Sequence, residues 1–350
     1  MLTIGIDPHK RTHCAVAVDA VGREVATTTR RVGRDGFAGL LGWARGLDGG
    51  GERVWVIEDC RAYSGSVERF LLDHGERVVR LAPHLMADAR CGGRERGKSD
   101  PIDGRAVARA ALREGVENLP TARPDGPELE VRLLATHRDR LVHIRTGLIC
   151  ELRSQCHDVW PDWEIPKRVL IGPAWQTRVA RRLAHAPRSA RVQIARDLIR
   201  RVRDLTQMIN ALYAQLAELV TALAPRLLAE PGVGVLLAAK FLGEIAGIDR
   251  FRTDAKLARM AGCAPIPVSS GRTDRHRLDR GGNRQLNHAF HMLAICKLAH
   301  DDGETAAYMA KQRRAGKTNR EALRCLKRQL VRRVFALLKH PNEVPVTLCT

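Results

Sequence analysis

Residues 1–19, MLTIGIDPHKRTHCAVAVD, decide how the first third of the chain folds. LTIGID is a short apolar strand that ends in an acid, and THCAVAVD follows it after a short turn. REVATTTR comes next, beyond a Val-Gly turn at 21–22. Three strands in such close succession predict an antiparallel meander. The period then changes. A helix fits Gly36 to Leu47, with Phe37, Leu40, Leu41 and Ala44 on one face. ERVWVIED is a fourth strand, Ser64 to His74 a second helix and ERVVRLA a fifth strand. An Arg/Gly-rich loop, Arg90 to Lys98, leads into a helix from Asp100 to Arg113 whose apolar side carries Ile102, Ala106, Val107, Ala110 and Ala111.

The order β-β-β-α-β-α-β-α is that of a ribonuclease-H-like α/β domain over residues 1–117, and it makes four acids converge. Asp7 ends the first strand and Glu58 the fourth, which lie side by side in that fold. Asp100 and Asp103 open the last helix, three residues apart and so on one face. Four carboxylates at one edge repel each other unless cations sit between them. Hard oxygen ligands suit Mg²⁺ or Mn²⁺, and a pair of such ions can promote phosphodiester cleavage. The bland reading of each acid alone is a turn residue or, for Asp100, a helix N-cap. Asp59, on the opposite strand face by alternation, and Asp19, at the end of the second strand, are set aside. His9, Lys10 and His13 are within reach of phosphate, with a solvated turn as the plainer role.

The chain has 350 residues, with 59 Lys+Arg against 39 Asp+Glu, a formal net charge of +20 and a sequence pI near 10.4. That excess calls for a polyanion, nucleic acid first and an anionic membrane surface second. Most of the cations are arginine, whose planar fork suits phosphate. Aromatics at 4% disfavour a protein that reads single strands by base stacking. Nine scattered cysteines without a CxxC pair suggest reduced thiols in a cytosol rather than disulfides or a zinc ribbon. No signal peptide is expected, and the apolar run Val233 to Gly247, broken by Lys240 and Glu244, is too short and charged to span a bilayer.

Residues 118–229 read as a proline-rich linker (118–127) and a coiled-coil region. Leu134, Leu141 and Leu148 recur every seven residues. Leu198, Leu205, Leu212 and Leu219, with Val202, Ile209, Leu216 and Leu223, form an a/d seam through almost four heptads. The alternative is an amphipathic helix inside a bundle. Trp160 to Pro187 reads as the connection between the two helices. Residues 230–350 form a helical C-terminal domain, with helices near 235–246, 254–262, 283–298, 304–314 and 319–338. Within it, 265–340 hold 17 Lys+Arg against 6 Asp+Glu. Gly232 and Gly234 stand in a Gly-x-Gly turn before a helix, the helix-hairpin-helix pattern in which backbone N–H groups hold a phosphate; a plain tight turn fits the same residues. The segment APIPVSSGRTDRHRLDRGGNRQLNHA surrounds Ser269 and Ser270 with Arg272, Arg275, Arg277, Arg280 and Arg284. A hydroxyl among such cations is placed either to contact phosphate or, once activated by a base or metal, to attack it.

IGIDPHKRTH, VIED, KSDPIDGRAVA, PGVGVLLAAKFLGEIAGIDRFRTDAKLARMAGCAP and the SSG–basic–GGNRQLNHA block resemble, in this order and spacing, the transposases of the insertion sequence IS110 family and their Piv-type DNA-invertase relatives. The resemblance runs from residue 1 to about 300. It implies a RuvC-like domain with an Asp-Glu-Asp-Asp set at Asp7, Glu58, Asp100 and Asp103. It also implies a coiled coil for oligomerisation, as a dimer and as a tetramer when synapsed, and a C-terminal domain with a serine nucleophile at Ser270, or at its neighbour Ser269. Its elements encode a noncoding RNA that pairs with donor and target DNA, so a guide RNA joins double-stranded DNA as an expected partner. The expectation is a recombinase in which metal-bound carboxylates and Ser270, from different domains, assemble a composite site. A metal-dependent Holliday-junction resolvase acting through water and a non-catalytic nucleic-acid scaffold are the alternatives; a sugar kinase is disfavoured, because no glycine-rich phosphate loop follows the first strand.

Overall fold

A computed structural model describes residues 1–48, 51–58, 61–81, 85, 100–268, 276–277, 279, 281–300 and 303–339. The chain divides into two compact units, Met1–Asp125 and Gly126–Thr350.

The first unit is a five-stranded sheet in the order β3-β2-β1-β4-β5, built from β1 (Leu2–Pro8), β2 (Thr12–Val18), β3 (Glu24–Arg31), β4 (Arg53–Glu58) and β5 (Val78–Leu81). β1, β2 and β3 form the antiparallel meander, and β4 and β5 run parallel to β1. β1 and β2 are apolar along almost their whole length because both faces are covered. Helices α1 (Arg34–Asp48) and α2 (Arg61–Asp73) bury Phe37, Leu40, Leu41, Val67 and Leu71 against Ile4, Ile6, Trp55 and Ile57. On the other face α3 (Asp100–Glu114) packs Val107, Ala110 and Ala111 on Val54, Val56 and Val79. Asp19 does what a turn acid does: its Oδ1 accepts from the N–H groups of Val21 and Arg23 at 3.0 and 2.8 Å, closing the β2–β3 hairpin around Gly22 at φ 80°.

The expected linker is in part sheet. Arg80 N donates to Pro120 O, Ala122 N donates to Val78 O, and Thr121 bridges Val79, so residues 120–122 extend the sheet beyond β5. An expected boundary at 117 therefore falls before the sheet is complete. Apolar Leu119 and Ala122 among the prolines are what draw this segment in.

The second unit is helical. α4 (Pro127–Val159) and α6 (Ala190–Leu223), of 33 and 34 residues, lie antiparallel: Val131 and Ala135 share a core with Leu216 and Val220, while Leu152 and Cys156 share one with Val192 and Ala195. The seam of α6 is thus met by α4 of the same chain, with Leu198, Val202, Ile209 and Leu216 buried. A polar layer fixes the register: Arg145 and Gln176 both donate to Thr206 Oγ1, which donates to Val202 O. The connection between the two long helices holds a further helix, α5 (Pro173–Ala184), and an indole cluster of Trp160, Trp163 and Trp175 with the Arg182 guanidinium 4.4 Å from the Trp163 ring centre. The one-turn α7 (Pro225–Leu228) precedes α8 (Val235–Ile245), α9 (Asp254–Met260), α10 (Arg284–Ala299), α11 (Gly303–Arg314) and α12 (Asn319–Lys339). Val131, Leu216, Phe241, Phe290, Leu326 and Val334 belong to one core, so position 229–230 lies inside a continuous packing unit. β6 (Ile266–Pro267) and β7 (His276–Arg277) form a two-stranded ribbon. Among the described residues, no helix is long and apolar enough to cross a membrane.

Candidate metal and nucleic-acid sites

Strand register carries Asp7 to Glu58. β1 pairs with β4 in parallel from Leu2↔Arg53 to Ile6↔Ile57, so the next residues of each strand, Asp7 and Glu58, end side by side. Alternation turns Asp7 to the face that α3 covers, together with Cys14 opposite it on β2. What brings α3 down onto this face is an absence of side chains. A Cβ on Gly5 would lie 2.1 Å from the carbonyl oxygen of Gly104, and one on Gly104 would lie 3.1 Å from Val16 Cγ2. Helix and strand backbones meet, and the first turn of α3, with Asp100 and Asp103, is held over the end of β1. An interior glycine in IGID was the sequence signal for this approach.

The resulting charge cluster is dense. Asp7 and Asp103 are buried, whereas Asp100 is exposed. Burial raises the Asp7 pKa above the ordinary aspartate value; His9 opposes the rise, and Asp103, Asp100 and Glu58 reinforce it. The three other expected carboxylates thus all act on Asp7. His9 Nε2 lies 3.0 Å from Asp7 Oδ2 and 3.2 Å from Asp100 Oδ1, and ligand atoms of Asp7, His9 and Asp100 fall within 4.8 Å of one another. The plainer role of a solvated turn does not hold for His9. It does not hold for His13 either, which is buried on the opposite face and stacked on Phe37 at 5.6 Å between ring centres. Asp7 Oδ2 is buried without a well-oriented hydrogen bond. A buried carboxylate oxygen with His9 close by and three further acids around it fits a divalent cation, and the donor set of hard oxygens with one imidazole accommodates Mg²⁺ or Mn²⁺.

The expected C-terminal residues are scattered in role. Ser269, Ser270, Arg272, Arg275 and Arg280 lie outside the described residues. Arg277 is exposed on β7, and Arg284 is exposed at the start of α10, which Asn283 caps by accepting from Gln285 N and Leu286 N. The GGN turn docks tightly: a Cβ on Gly282 would lie 2.1 Å from Gly262 N. Gly232, at φ 87°, faces inward, 3.4 Å from Leu293 at the position of a Cβ; Gly234 is open and precedes the α8 N-terminus, whose first turn has no side-chain cap. The two glycines thus separate into a packing position and an exposed helix start.

Two family models match the chain. Residues 4–161 match a transposase model of the IS110 DEDD type, and residues 224–310 match the transposase model of the IS116/IS110/IS902 family. The 44.8 kDa protein of insertion element IS116 from Streptomyces clavuligerus is 27% identical over 96% of this chain and 94% of its own. The 42 kDa protein of IS900 from Mycobacterium paratuberculosis is 26% identical over 98% and 97%. The 43.6 kDa protein of IS110 from Streptomyces coelicolor is 41% identical over a shorter stretch, 37% of this chain and 33% of that protein. Among solved structures, T. thermophilus RuvC in complex with a Holliday junction substrate aligns over 35% of this chain and 99% of its own at 13% identity and a TM-score of 0.27. With both family models matched in order and full-length relatives encoded by insertion elements, the chain belongs to the IS110/IS116/IS902 family of transposases.

Proposed function

We propose that this transposase cuts and rejoins donor and target DNA with Asp7, Glu58, Asp100 and Asp103 as ligands of divalent metal and Ser270 as nucleophile, and that a noncoding RNA directs it. The observation that carries the reading is the placing of Glu58, Asp100 and Asp103 beside buried Asp7, at the ends of β1 and β4 and the start of α3, in a chain of net charge +20. Surplus negative charge at one edge of a basic protein has a purpose when a cation and then a phosphate occupy it. Mg²⁺ or Mn²⁺, when bound, supplies charge neutralisation at the scissile phosphate and lowers the pKa of a coordinated hydroxyl. The protein's own groups do the positioning. Asp7 and Glu58 are fixed at adjacent strand ends, and Asp103 is held by the Gly5–Gly104 contact. His9 tethers Asp7 to Asp100.

Covalent transfer balances without an energy source. The Ser270 oxygen forms an ester bond to phosphorus while one bond from phosphorus to a sugar oxygen breaks, and that oxygen leaves with the proton. A sugar hydroxyl of the recombined strand then reverses the step. The excess of 17 basic over 6 acidic residues in 265–340 supports a polyanion surface there, and the family resemblance supports a guide RNA as its second occupant, beside a homo-oligomer assembling on DNA. The test is recombination in cells by Asp7→Ala, Glu58→Ala, Asp103→Ala, Ser270→Ala and Ser269→Ala variants, with trapping of covalent protein–DNA adduct. Loss of recombination in the three acid variants and of adduct in Ser270→Ala is expected. Cleavage without any adduct would favour hydrolysis by water, and full activity of the Ser269/Ser270 double variant would end the serine mechanism.

A further inference from the structure

We propose that the second unit carries a DNA phosphodiester subsite whose floor is Lys327, in a cavity beside the β6–β7 ribbon; the proposal rests on the reading of the chain as a DNA-rearranging enzyme. The cavity holds about 540 Å³ and is lined by Cys263, Arg277, Lys317, Arg324, Lys327 and Arg328 among others. Lys327 is only 8% exposed. Its Nζ donates to Asn287 Oδ1 at 2.6 Å, and Asn287 is aimed by donating in turn to Ala261 O and Gly262 O at 3.0 and 2.8 Å. Among the described residues no carboxylate pairs with Lys327. The contrast is Lys297, also buried in the same unit, which has Glu230 at 2.7 Å. A buried ammonium without a counter-charge is costly, and here burial pushes its pKa below the ordinary lysine value.

The acids that also line this cavity are already engaged. Asp279 accepts from Arg259 at 2.7 Å and from Gly281 N at 2.9 Å. Glu321 accepts from Thr318 N and Oγ1 at 2.9 and 2.8 Å, capping α12. Arg328 is paired with Asp254 at 2.7 Å. Among the described residues no carboxylate pairs with Lys317, Arg277 or Lys327, which all line this open cavity. An anion with several acceptor oxygens, reached from solvent, completes that arrangement, and a backbone phosphate of a duplex has this chemistry. A free counter-charge in the protein would have served stability alone.

The test uses the full-length chain and a 20-base-pair duplex of arbitrary sequence, with affinity measured by fluorescence anisotropy from about 50 to 200 mM salt. Lys327→Met keeps the apolar stem and removes the charge; circular dichroism checks its fold. Arg324→Gln, at a half-buried rim position where Arg324 lies 3.8 Å from Glu321, decides the matter if Lys327→Met does not fold. Each substitution is expected to lower the slope of log affinity against log salt by about one and to weaken binding several-fold. Wild-type binding with unchanged slopes in the variants would overturn the subsite alone. A slope change seen with single-stranded RNA of the same length but not with the duplex would overturn its assignment to DNA. Failure of the wild-type chain to bind the duplex would instead count against the broader DNA reading on which the subsite depends.

Discussion

Asp7 is held in a position that an isolated carboxylate would avoid. Burial and three neighbouring acids all oppose its ionisation, and only His9 favours it. Asp7→Asn removes one charge from that cluster, so in metal-free buffer it should raise the melting temperature, while lowering DNA cleavage by about 100-fold or more, the loss expected when several kcal/mol of transition-state charge stabilisation go. A melting temperature that falls would mean that the cluster is structurally satisfied as it stands. His13 makes the opposite kind of statement. Its ring is 1% exposed, both nitrogens lack partners among the described residues, and burial pushes its pKa down to about 4. The unfolded chain binds a proton near pH 6.5 that the folded chain refuses until about pH 4. Stability is therefore complete above pH 6.5 and is lost as pH falls through that window, by about 3 kcal/mol. His13→Leu should move the acid-unfolding midpoint to lower pH, read by circular dichroism; an unchanged midpoint would place the proton elsewhere. The four acids were legible because strand ends and helix starts can be found from periodicity. The two histidines were not, because turn length alone does not say that His9 folds back over Asp7 while His13 enters the strand.

Elements are placed by what they lack as much as by what they bury. A methyl group on Gly5 cannot share space with the Gly104 carbonyl at 2.1 Å, so Gly5→Ala must push α3 off the sheet. A cost of about 1–3 kcal/mol in chemical denaturation is expected, together with a loss of metal affinity, since Asp100 and Asp103 ride on α3. Loss of stability with full metal affinity would show that the two are not coupled. In the long helices the heptads mark the buried stripe of α6, but the sequence does not say which helix covers it, and the bundle alternative describes the packing. The answer is α4, running antiparallel in the same chain. Leu216→Ala, at a fully buried seam position, should cost about 2–5 kcal/mol. The loss should be independent of protein concentration, because the partner helix is tethered; a midpoint that rises with concentration would assign the seam to a neighbouring subunit. The β-ribbon at 266–277 is too short to carry a periodic signal, and its two-residue strands were accordingly not foreseen.

At the scale of the whole chain, charge is divided by task. The first unit gathers acids at one sheet edge, and the second carries the basic stretch 265–340 with its cavity over Lys327. The +20 total predicted a polyanion; only the fold separates the residues suited to hold cations from those suited to hold phosphate. Domain limits were less legible than the elements, since apolar residues scattered in a proline-rich segment joined it to the sheet, and a core shared by α4, α6 and α8 runs across position 230. The claim on which the rest depends is that the acid cluster binds divalent metal. Mn²⁺ titrated into the full-length protein and followed by the loss of the free-ion paramagnetic resonance signal measures this without any DNA. Saturable binding by the wild-type chain, abolished or weakened at least about tenfold in Asp7→Asn, is the predicted result; equal Mn²⁺ binding by the two proteins would contradict the account.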